Sequence, residues 1–198
     1  MSAAPIGLEL SLAEKRYLLR QARGVVAARL QFQEEQDHGP PEAMLHERMG
    51  AFVTIRRKSG VHRAHQLRGC IGHIVSSGSL IETVRDSALS AAFHDPRFPP
   101  LTPAEYNEVE FEISVLSPLH VVEDRREVIP GTHGVLVRKG WKSGLLLPQV
   151  ATEQKWDRDT FLYHTCIKAG FEPGCIDDAD VEISVFTATV FDESIPGM

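Results

Sequence analysis

AFVTIRRKSGVHRAHQLRGCIGHI, residues 51–74, contains two short apolar segments separated by a polar and basic one. The first segment, AFVTIRR (51–57), alternates Phe52 and Thr54 with Val53 and Ile55 and is rich in β-forming residues, which predicts a strand. The second, LRGCIGHI, predicts a returning strand after a turn or loop formed by RKSGVHRAHQ. The stretch therefore predicts a β-hairpin with a basic tip.

The rest of the chain adds helices and further strands. SLAE (11–14), SLIE (79–82) and TPAE (102–105) are capping boxes, and the first two open apolar stretches with helical spacing. HDPRFPP (94–100) contains three prolines in seven residues, which predicts a stiff loop. VEFEISVL (109–116) alternates strictly, with Val109, Phe111, Ile113 and Val115 inward, and predicts an antiparallel strand with one solvated face.

The C-terminal third follows the same mixed pattern. GVLVRKGWKSGLLLP (134–148) predicts two strands joined by a turn, and 149–169 predicts a helix interrupted near Asp157 and ended by Gly170. VEISVFTATVF (181–191) predicts one closing strand. Helices and hairpins without a regular βαβ repeat indicate an α+β fold with a mixed, mostly antiparallel sheet flanked by helices.

Length and composition indicate an ordinary soluble globular protein. The 198 residues are 42% hydrophobic and 24% charged, enough for one domain over 1–198, with 33–50 as a surface connection and 192–198 as a tail. No apolar run approaches the roughly 20 residues of a membrane span, and MSAAPIGLEL is not a signal peptide. Three cysteines at irregular spacing predict no disulfide framework and favour a reducing, cytoplasmic location.

Charge is distributed unevenly along the chain. The net charge of −6 argues against nonspecific binding of nucleic acid. Between Arg48 and Ile81, however, there is no acidic residue. The basic residues of this segment are Arg48, Arg56, Arg57, Lys58, Arg63 and Arg68. This asymmetry indicates an anionic ligand or partner, and the alternative is a solvated hairpin tip.

LRGCIG (67–72) holds the first candidate for chemistry. On a strand, Arg68, Cys70 and Gly72 share one face, while Gly69 lies on the other. Arg68 is then about 6.6 Å from Cys70 along the backbone. A guanidinium at that range favours the nucleophilic thiolate, and Gly72 leaves room for a ligand against the backbone. The alternative is a buried cysteine with glycines that mark a bulge.

HDPRFPP and THGV supply further candidates. A stiff loop can hold Asp95 and Arg97 in fixed directions, and Arg97 can clamp a carboxylate or phosphate. Equally, these two residues can tie the loop to the body of the protein, with Phe98 in the core. His133 has a side chain suited to proton transfer, although a histidine in a turn is more often a satisfied polar residue. Glu153 is a general-base candidate only if its helical face lines a cleft.

Metal binding is disfavoured. His62 and His65 are separated by two residues, as are Cys70 and His73, which superficially resembles paired zinc ligands. Residues three apart on a strand point to opposite faces, so the second pair cannot bind one ion together. The chain contains no Gly-rich phosphate loop, GxSxG elbow, HExxH motif or dinucleotide fingerprint.

Several motifs together resemble one family. LRGCIG, AAFHDPRFPPLT, FEISVLSP, GTHGVLV, GLLLPQVATEQKWD and FLYHTCIKAGF are similar, in order, to the AMMECR domain family, whose microbial members are called AmmeMemoRadiSam system protein A. The resemblance implies one compact α+β domain with a larger and a smaller subdomain, and association with Memo-like and radical-SAM proteins. It implies no settled reaction or cofactor. The residues that match the family motifs are Arg68, Gly69, Cys70, Gly72, Asp95, Arg97 and His133.

Two functions follow as hypotheses. In the first, Cys70, Arg68 and Arg97 form a pocket that binds or modifies a small anionic or nucleotide-like group, and His133 orients it or moves a proton. In the second, the basic hairpin and the Pro-rich loop bind a protein partner without catalysis. RNA binding ranks last, because residues 54–80 contain no aromatic side chain to stack on bases.

Overall fold

The structure, a computed structural model, describes residues 9–32, 47–58 and 67–198. These residues form two compact units, each with its own four-stranded antiparallel sheet. Of the described residues, the larger unit comprises 9–32, 47–58, 67–116 and 189–198, and the smaller unit comprises 117–188. The predicted α+β class is confirmed, with the strands divided between two sheets.

The larger unit combines three helices with its sheet. Their bounds are α1 Leu12–Arg29, α2 Leu80–Phe93, α3 Pro103–Tyr106, β1 Ala51–Arg57, β2 Leu67–His73, β3 Val109–Leu116 and β8 Ala188–Asp192. The sheet order is β2-β1-β3-β8, so β2 is an edge strand. Capping boxes at Ser11–Glu14 and Ser79–Glu82 start α1 and α2 as predicted. Strands β1 and β2 form the predicted hairpin, whose tip lies outside the described residues.

The core of this unit lies between the sheet and the two long helices. Val53, Ile55, Phe111 and Ile113 are fully buried on one face of the sheet, and α2 packs on β1 and β2. The predicted solvated face of β3 is wrong at its C-terminal end, where Ser114 is buried as well. Strict alternation in the sequence therefore does not imply one wet face along the whole strand.

The smaller unit contains the remaining elements. Their bounds are β4 His120–Val121, β5 Gly134–Lys139, β6 Lys142–Leu146, α4 Pro148–Gln154, α5 Arg158–Lys168 and β7 Glu182–Phe186. The strand order is β4-β7-β5-β6, and Val135, Phe161 and Val185 belong to its core. The predicted interruption near Asp157 is confirmed: this residue caps α5 by accepting a hydrogen bond from the Thr160 N–H. No described helix meets the length and hydropathy needed to cross a bilayer.

The chain's last predicted strand is divided in the structure. Residues 181–191 were expected to form one strand, but β7 and β8 are separate and join different sheets. Beyond β8, the predicted tail is held on the larger unit. Arg23 binds the Glu193 carboxylate through Nε and Nη2, and Arg16 donates to the carbonyl of Pro196.

The prediction of no disulfide is also wrong. Cys166 on α5 and Cys175 in the following loop are bonded, with Cα atoms 6.0 Å apart. Gly170, with φ of +72°, ends α5 and reverses the chain, which brings residue 175 back beside residue 166. The cysteine pattern therefore no longer supports a reducing compartment, and a cytoplasmic location stays a prediction.

Cys175→Ala is expected to lower the free energy of unfolding by about 2.5 kcal/mol, because loss of the bond restores entropy to the unfolded chain. Urea unfolding of the oxidised protein and the variant measures the difference. Dithiothreitol should destabilise the unsubstituted protein by a similar amount and leave Cys175→Ala unchanged. An equal effect of dithiothreitol on both proteins would contradict this stabilising role.

Both tryptophans lie in the smaller unit. Trp141 is 90% exposed at the turn between β5 and β6, next to Gly140, whose φ is +58°. The Lys142 ammonium lies 5.7 Å from the centroid of the Trp141 ring. Trp156, by contrast, is half-buried and stacks on the His164 ring at a centroid distance of 4.0 Å. Glu153 is exposed on α4.

Candidate functional site

Arg68 is the extra residue of a bulge in β2. Ile55 pairs with Gly69 and Arg56 with Leu67, so Arg68 has no opposite residue on β1. The bulge breaks the alternation on which the predicted shared face of Arg68 and Cys70 depended. The Arg68 side chain is only 2% exposed and binds a carboxylate of α3 instead.

The carboxylate bound by Arg68 belongs to Glu105. Arg68 Nε donates to Glu105 Oε1 at 2.9 Å, and Nη2 donates to Oε2 at 3.1 Å. These hydrogen bonds lower the pKa of the Glu105 carboxyl from its ordinary 4.5 to about 2, although burial opposes the shift. The positive charge of Arg68 is therefore largely neutralised within the protein.

The Pro-rich loop is attached to the edge of β2 at Cys70. The Cys70 N–H donates to Asp95 Oδ2 at 2.9 Å, and Arg97 Nη2 donates to the Cys70 carbonyl at 3.2 Å. Asp95 and Arg97 are joined by hydrogen bonds of 2.9 Å and 2.7 Å. Hydrogen bonds from Arg97, and to a lesser degree from the Cys70 N–H, hold the pKa of the buried Asp95 carboxyl well below its usual range. The pair thus does tie the loop to the sheet.

The Cys70 thiol is free and half-buried. Thr54 lies directly opposite on β1, and its hydroxyl donates to the Cys70 Sγ at 3.3 Å. The cation beside Cys70 is Arg97, whose side chain is 53% exposed. The sequence analysis did not identify Thr54 as a site residue. Thr54 is a hydroxyl residue in an otherwise apolar part of β1, and the hairpin register places it opposite Cys70. This pattern could have identified it from the sequence.

Gly69 and Gly72 allow close packing. A Cβ on Gly69 would lie 2.1 Å from the carbonyl oxygen of Ala91 on α2. A Cβ on Gly72 would lie 2.4 Å from Cγ of Phe52. The bare face predicted beside Gly72 is therefore absent, because the Phe52 ring fills it. A ligand contact at Gly72 can come only from its backbone edge, and ligand binding by either glycine stays a prediction.

Phe98 lies between two guanidinium groups. Its ring centroid is 5.9 Å from Cζ of Arg68 and 5.5 Å from Cζ of Arg97. Both distances allow a cation–π interaction. The half-buried aromatic ring thereby lies between the bulge of β2 and the exposed guanidinium of the Pro-rich loop.

His133 belongs to the smaller unit, whereas Cys70 belongs to the larger one. It is 3% exposed, and its Nδ1 accepts a hydrogen bond from the Ile129 N–H at 3.3 Å. Burial lowers the pKa of the imidazole, which favours the neutral form. These contacts hold the turn before β5 together. A role for His133 in proton transfer stays a prediction.

Three cations of the basic segment, at the end of β1, are paired with nearby acceptors. Arg56 lies 3.3 Å from Glu112, and Arg57 lies 3.5 Å from Glu105. Lys58 Nζ donates to the carbonyl of Asn107 at 3.0 Å. These cations therefore contribute less free positive charge than the sequence suggested. Arg63 lies outside the described residues.

No metal site is found among residues 9–32, 47–58 and 67–198: no group of three His, Cys, Asp or Glu side chains there could hold an ion. His62 and His65 lie outside this part of the chain. In the smaller unit, a cavity of about 390 Å³ is lined by residues 121–125, 176–177 and 181–183. It includes none of the residues predicted to form the site.

Comparison with known proteins identifies the family. The AMMECR1 family model matches residues 19–191, which is most of the chain. The chain belongs to the AMMECR1 family. It is 40% identical to a protein of Methanopyrus kandleri, over 96% of this chain and 94% of that one. A relative from Thermococcus kodakarensis is 45% identical, over 79% of this chain and 80% of the relative.

A solved structure supports the same relationship. The crystal structure of an uncharacterized protein from Pyrococcus horikoshii matches this AMMECR1-family chain with a TM-score of 0.83 at 38% identity. The match covers 92% of this chain and 91% of the other. The α+β fold of the AMMECR1 family is thus shared with an experimentally determined relative.

Proposed function

We propose that this AMMECR1-family chain binds a small anionic group at Arg97 and uses Cys70 as a nucleophile toward it. The observation that carries the proposal is the double attachment of Cys70. Asp95 and Arg97 hold its backbone N–H and carbonyl, while Thr54 donates to its sulfur. The thiol is therefore held in one position at a partly exposed sheet edge.

Two polar groups lie beside Cys70. The Thr54 hydroxyl donates to its sulfur, and the Arg97 guanidinium bonds to its backbone carbonyl. In the reaction, the thiol loses its proton to solvent and sulfur bonds to an electrophilic atom of the ligand. The leaving group departs with the electrons of the bond that breaks.

Asp95 offsets part of the positive charge of Arg97, as Glu105 does for Arg68, but Arg97 differs in being exposed and in keeping a donor for an anion. Arg97 Nε and Nη2 bond to Asp95 and the Cys70 carbonyl, while Nη1 makes no hydrogen bond within the described part of the chain. A guanidinium matches carboxylate and phosphate groups. Because Arg68 is buried against Glu105, Arg97 is the exposed cation that is held directly at Cys70.

Alkylation of Cys70 tests this proposal. The measured quantity is the ratio of the iodoacetate rate to the iodoacetamide rate at Cys70. Because Arg97 attracts anions, we expect this ratio to be higher in the native protein than in the urea-unfolded protein. Arg97→Gln should reduce that ratio severalfold, and Thr54→Val should slow both reagents about tenfold. Arg57→Gln, which removes an exposed cation of the same unit, is the matched control. Mass spectrometry quantifies the modified Cys70 peptide.

Two results would contradict the proposal. An iodoacetate preference equal to that of the unfolded protein would exclude an anion site at Arg97. Failure of Cys70 to react before global unfolding would exclude a nucleophilic role. In the second case the interaction hypothesis takes the lead, with Memo-like or radical-SAM proteins as partners. The 90% exposed Trp141 on a paired hairpin is the feature that supports it.

A further inference from the structure

The outer edge of β2 carries one set of backbone groups that the Pro-rich loop does not cover. The N–H and carbonyl of Cys70 bond to Asp95 and Arg97. Both groups therefore point away from β1. Backbone groups of an antiparallel strand alternate in direction, so those of Gly72 point to the same outer edge. Across the described residues, neither group of Gly72 has a hydrogen-bond partner.

The Asp95–Arg97 pair occupies the place of a neighbouring strand. In an antiparallel pair, one residue accepts from the N–H and donates to the carbonyl of the residue opposite. Asp95 and Arg97 together make this same pair of bonds to Cys70. The next position of such a strand lies opposite Gly72, about 6.6 Å further along β2.

The direction of an added strand follows from this arrangement. An antiparallel segment opposite Gly72 runs from the His73 end of β2 toward the Cys70 end. Its C-terminus is therefore directed at Arg97. The Arg97 side chain is 53% exposed there, with Nη1 available in the described structure, and a guanidinium matches a carboxylate.

We propose that the outer edge of β2 binds the extended C-terminal segment of a polypeptide in an antiparallel orientation. The penultimate residue of the segment pairs with the N–H and carbonyl of Gly72, and its terminal carboxylate binds Arg97 Nη1. This inference goes beyond the proposed function and rests on its anion site at Arg97. It does not depend on the reactivity of Cys70.

Main-chain pairing explains why the ligand is a peptide rather than a small anion alone. The edge offers one donor and one acceptor at Gly72 in addition to the cation, and only an extended backbone satisfies all three. The absence of a side chain on Gly72 does not create a pocket on the sheet face, because Phe52 fills that space. The edge itself is the binding surface.

The test uses a fluorescein-labelled hexapeptide of alternating valine and threonine with a free C-terminal carboxylate. We expect its C-terminal amide to bind at least tenfold more weakly in fluorescence anisotropy. N-methylation of the penultimate residue removes the donor to the Gly72 carbonyl and should weaken binding at least fivefold. In ¹⁵N-labelled protein, the Gly72 amide should exchange with solvent more slowly when the free-acid peptide is bound.

Variants separate this binding mode from others. Arg97→Gln should abolish the preference for the free acid over the amide, whereas Arg57→Gln should preserve it. Equal binding of acid and amide, an unprotected Gly72 amide, or no binding at all would overturn the inference. If the peptide fails while native Cys70 still prefers iodoacetate, the inference is wrong and the proposed function stands. If the iodoacetate preference is also missing, both fail.

Discussion

Glu105→Gln is expected to lower the free energy of unfolding by about 3 kcal/mol, because it leaves a buried guanidinium without its carboxylate. Arg68 is 2% exposed, and both of its described ionic hydrogen bonds go to Glu105. Its Nη1 is already buried without a partner. Loss of the carboxylate would therefore add to an existing deficit in hydrogen bonding.

Urea unfolding followed by circular dichroism measures this effect. Glu108→Gln is the matched control, since Glu108 is exposed near the end of the same short helix, and we expect a change within about 0.5 kcal/mol. Adding Arg68→Met to Glu105→Gln should recover much of the loss, because the uncompensated charge is removed. A change in Glu105→Gln as small as in the control would show that Arg68 does not need its carboxylate.

The Arg68–Glu105 pair makes the free energy of unfolding depend on pH. The folded-state pKa of Glu105 is lowered from 4.5 to about 2. Its contribution to stability is therefore fully present above about pH 4.5 and is lost as the pH falls toward 2. Asp95, whose pKa is also lowered, acts in the same direction at still lower pH. The stability difference between the unsubstituted protein and Glu105→Gln should shrink across this window.

Gly69→Ala is expected to lower the free energy of unfolding by about 3 kcal/mol, because the added methyl group overpacks a rigid contact. The new Cβ would lie 2.1 Å from the Ala91 carbonyl oxygen, which is helix backbone and cannot rotate away. Either α2 or β2 must shift. Because Cys70 follows Gly69 directly, we also expect a changed rate of alkylation at Cys70.

Gly140→Ala is the matched control for this substitution. A Cβ at Gly140 meets no atom within 4 Å, and the only cost is its positive φ of +58°, about 1 kcal/mol. Thermal unfolding and urea unfolding of both variants give the comparison. Equal destabilisation of the two would show that α2 moves away from β2 at little cost.

Local signals in the sequence predicted much of the fold. Capping boxes at Ser11 and Ser79 placed the starts of two helices, since each box depends on residues only three positions apart. The division of the last strand near Thr187 was missed, because sheet membership depends on partners far away in the chain. The disulfide between Cys166 and Cys175 was missed because it depends on a chain reversal that spacing alone does not describe.

The candidate site was predicted in part. Cys70, Asp95 and Arg97 were chosen for their chemistry, and the structure joins them by direct hydrogen bonds. The partner of Arg68 was not predicted. A bulge turns this side chain away from the regular alternation, and its carboxylate comes from Glu105, 37 positions later in the chain.

The positions of the two tryptophans determine what an optical experiment on this protein reports. Trp141 and Trp156 both lie in the smaller unit, and Trp141 is already exposed to water in the native state. A change in tryptophan emission during unfolding therefore arises mainly from Trp156 as it leaves the His164 ring. Tyr17 and Tyr106 lie in the larger unit and Tyr163 in the smaller one, so tyrosine emission in a protein lacking both indoles and Tyr163 would follow the unit that contains Cys70.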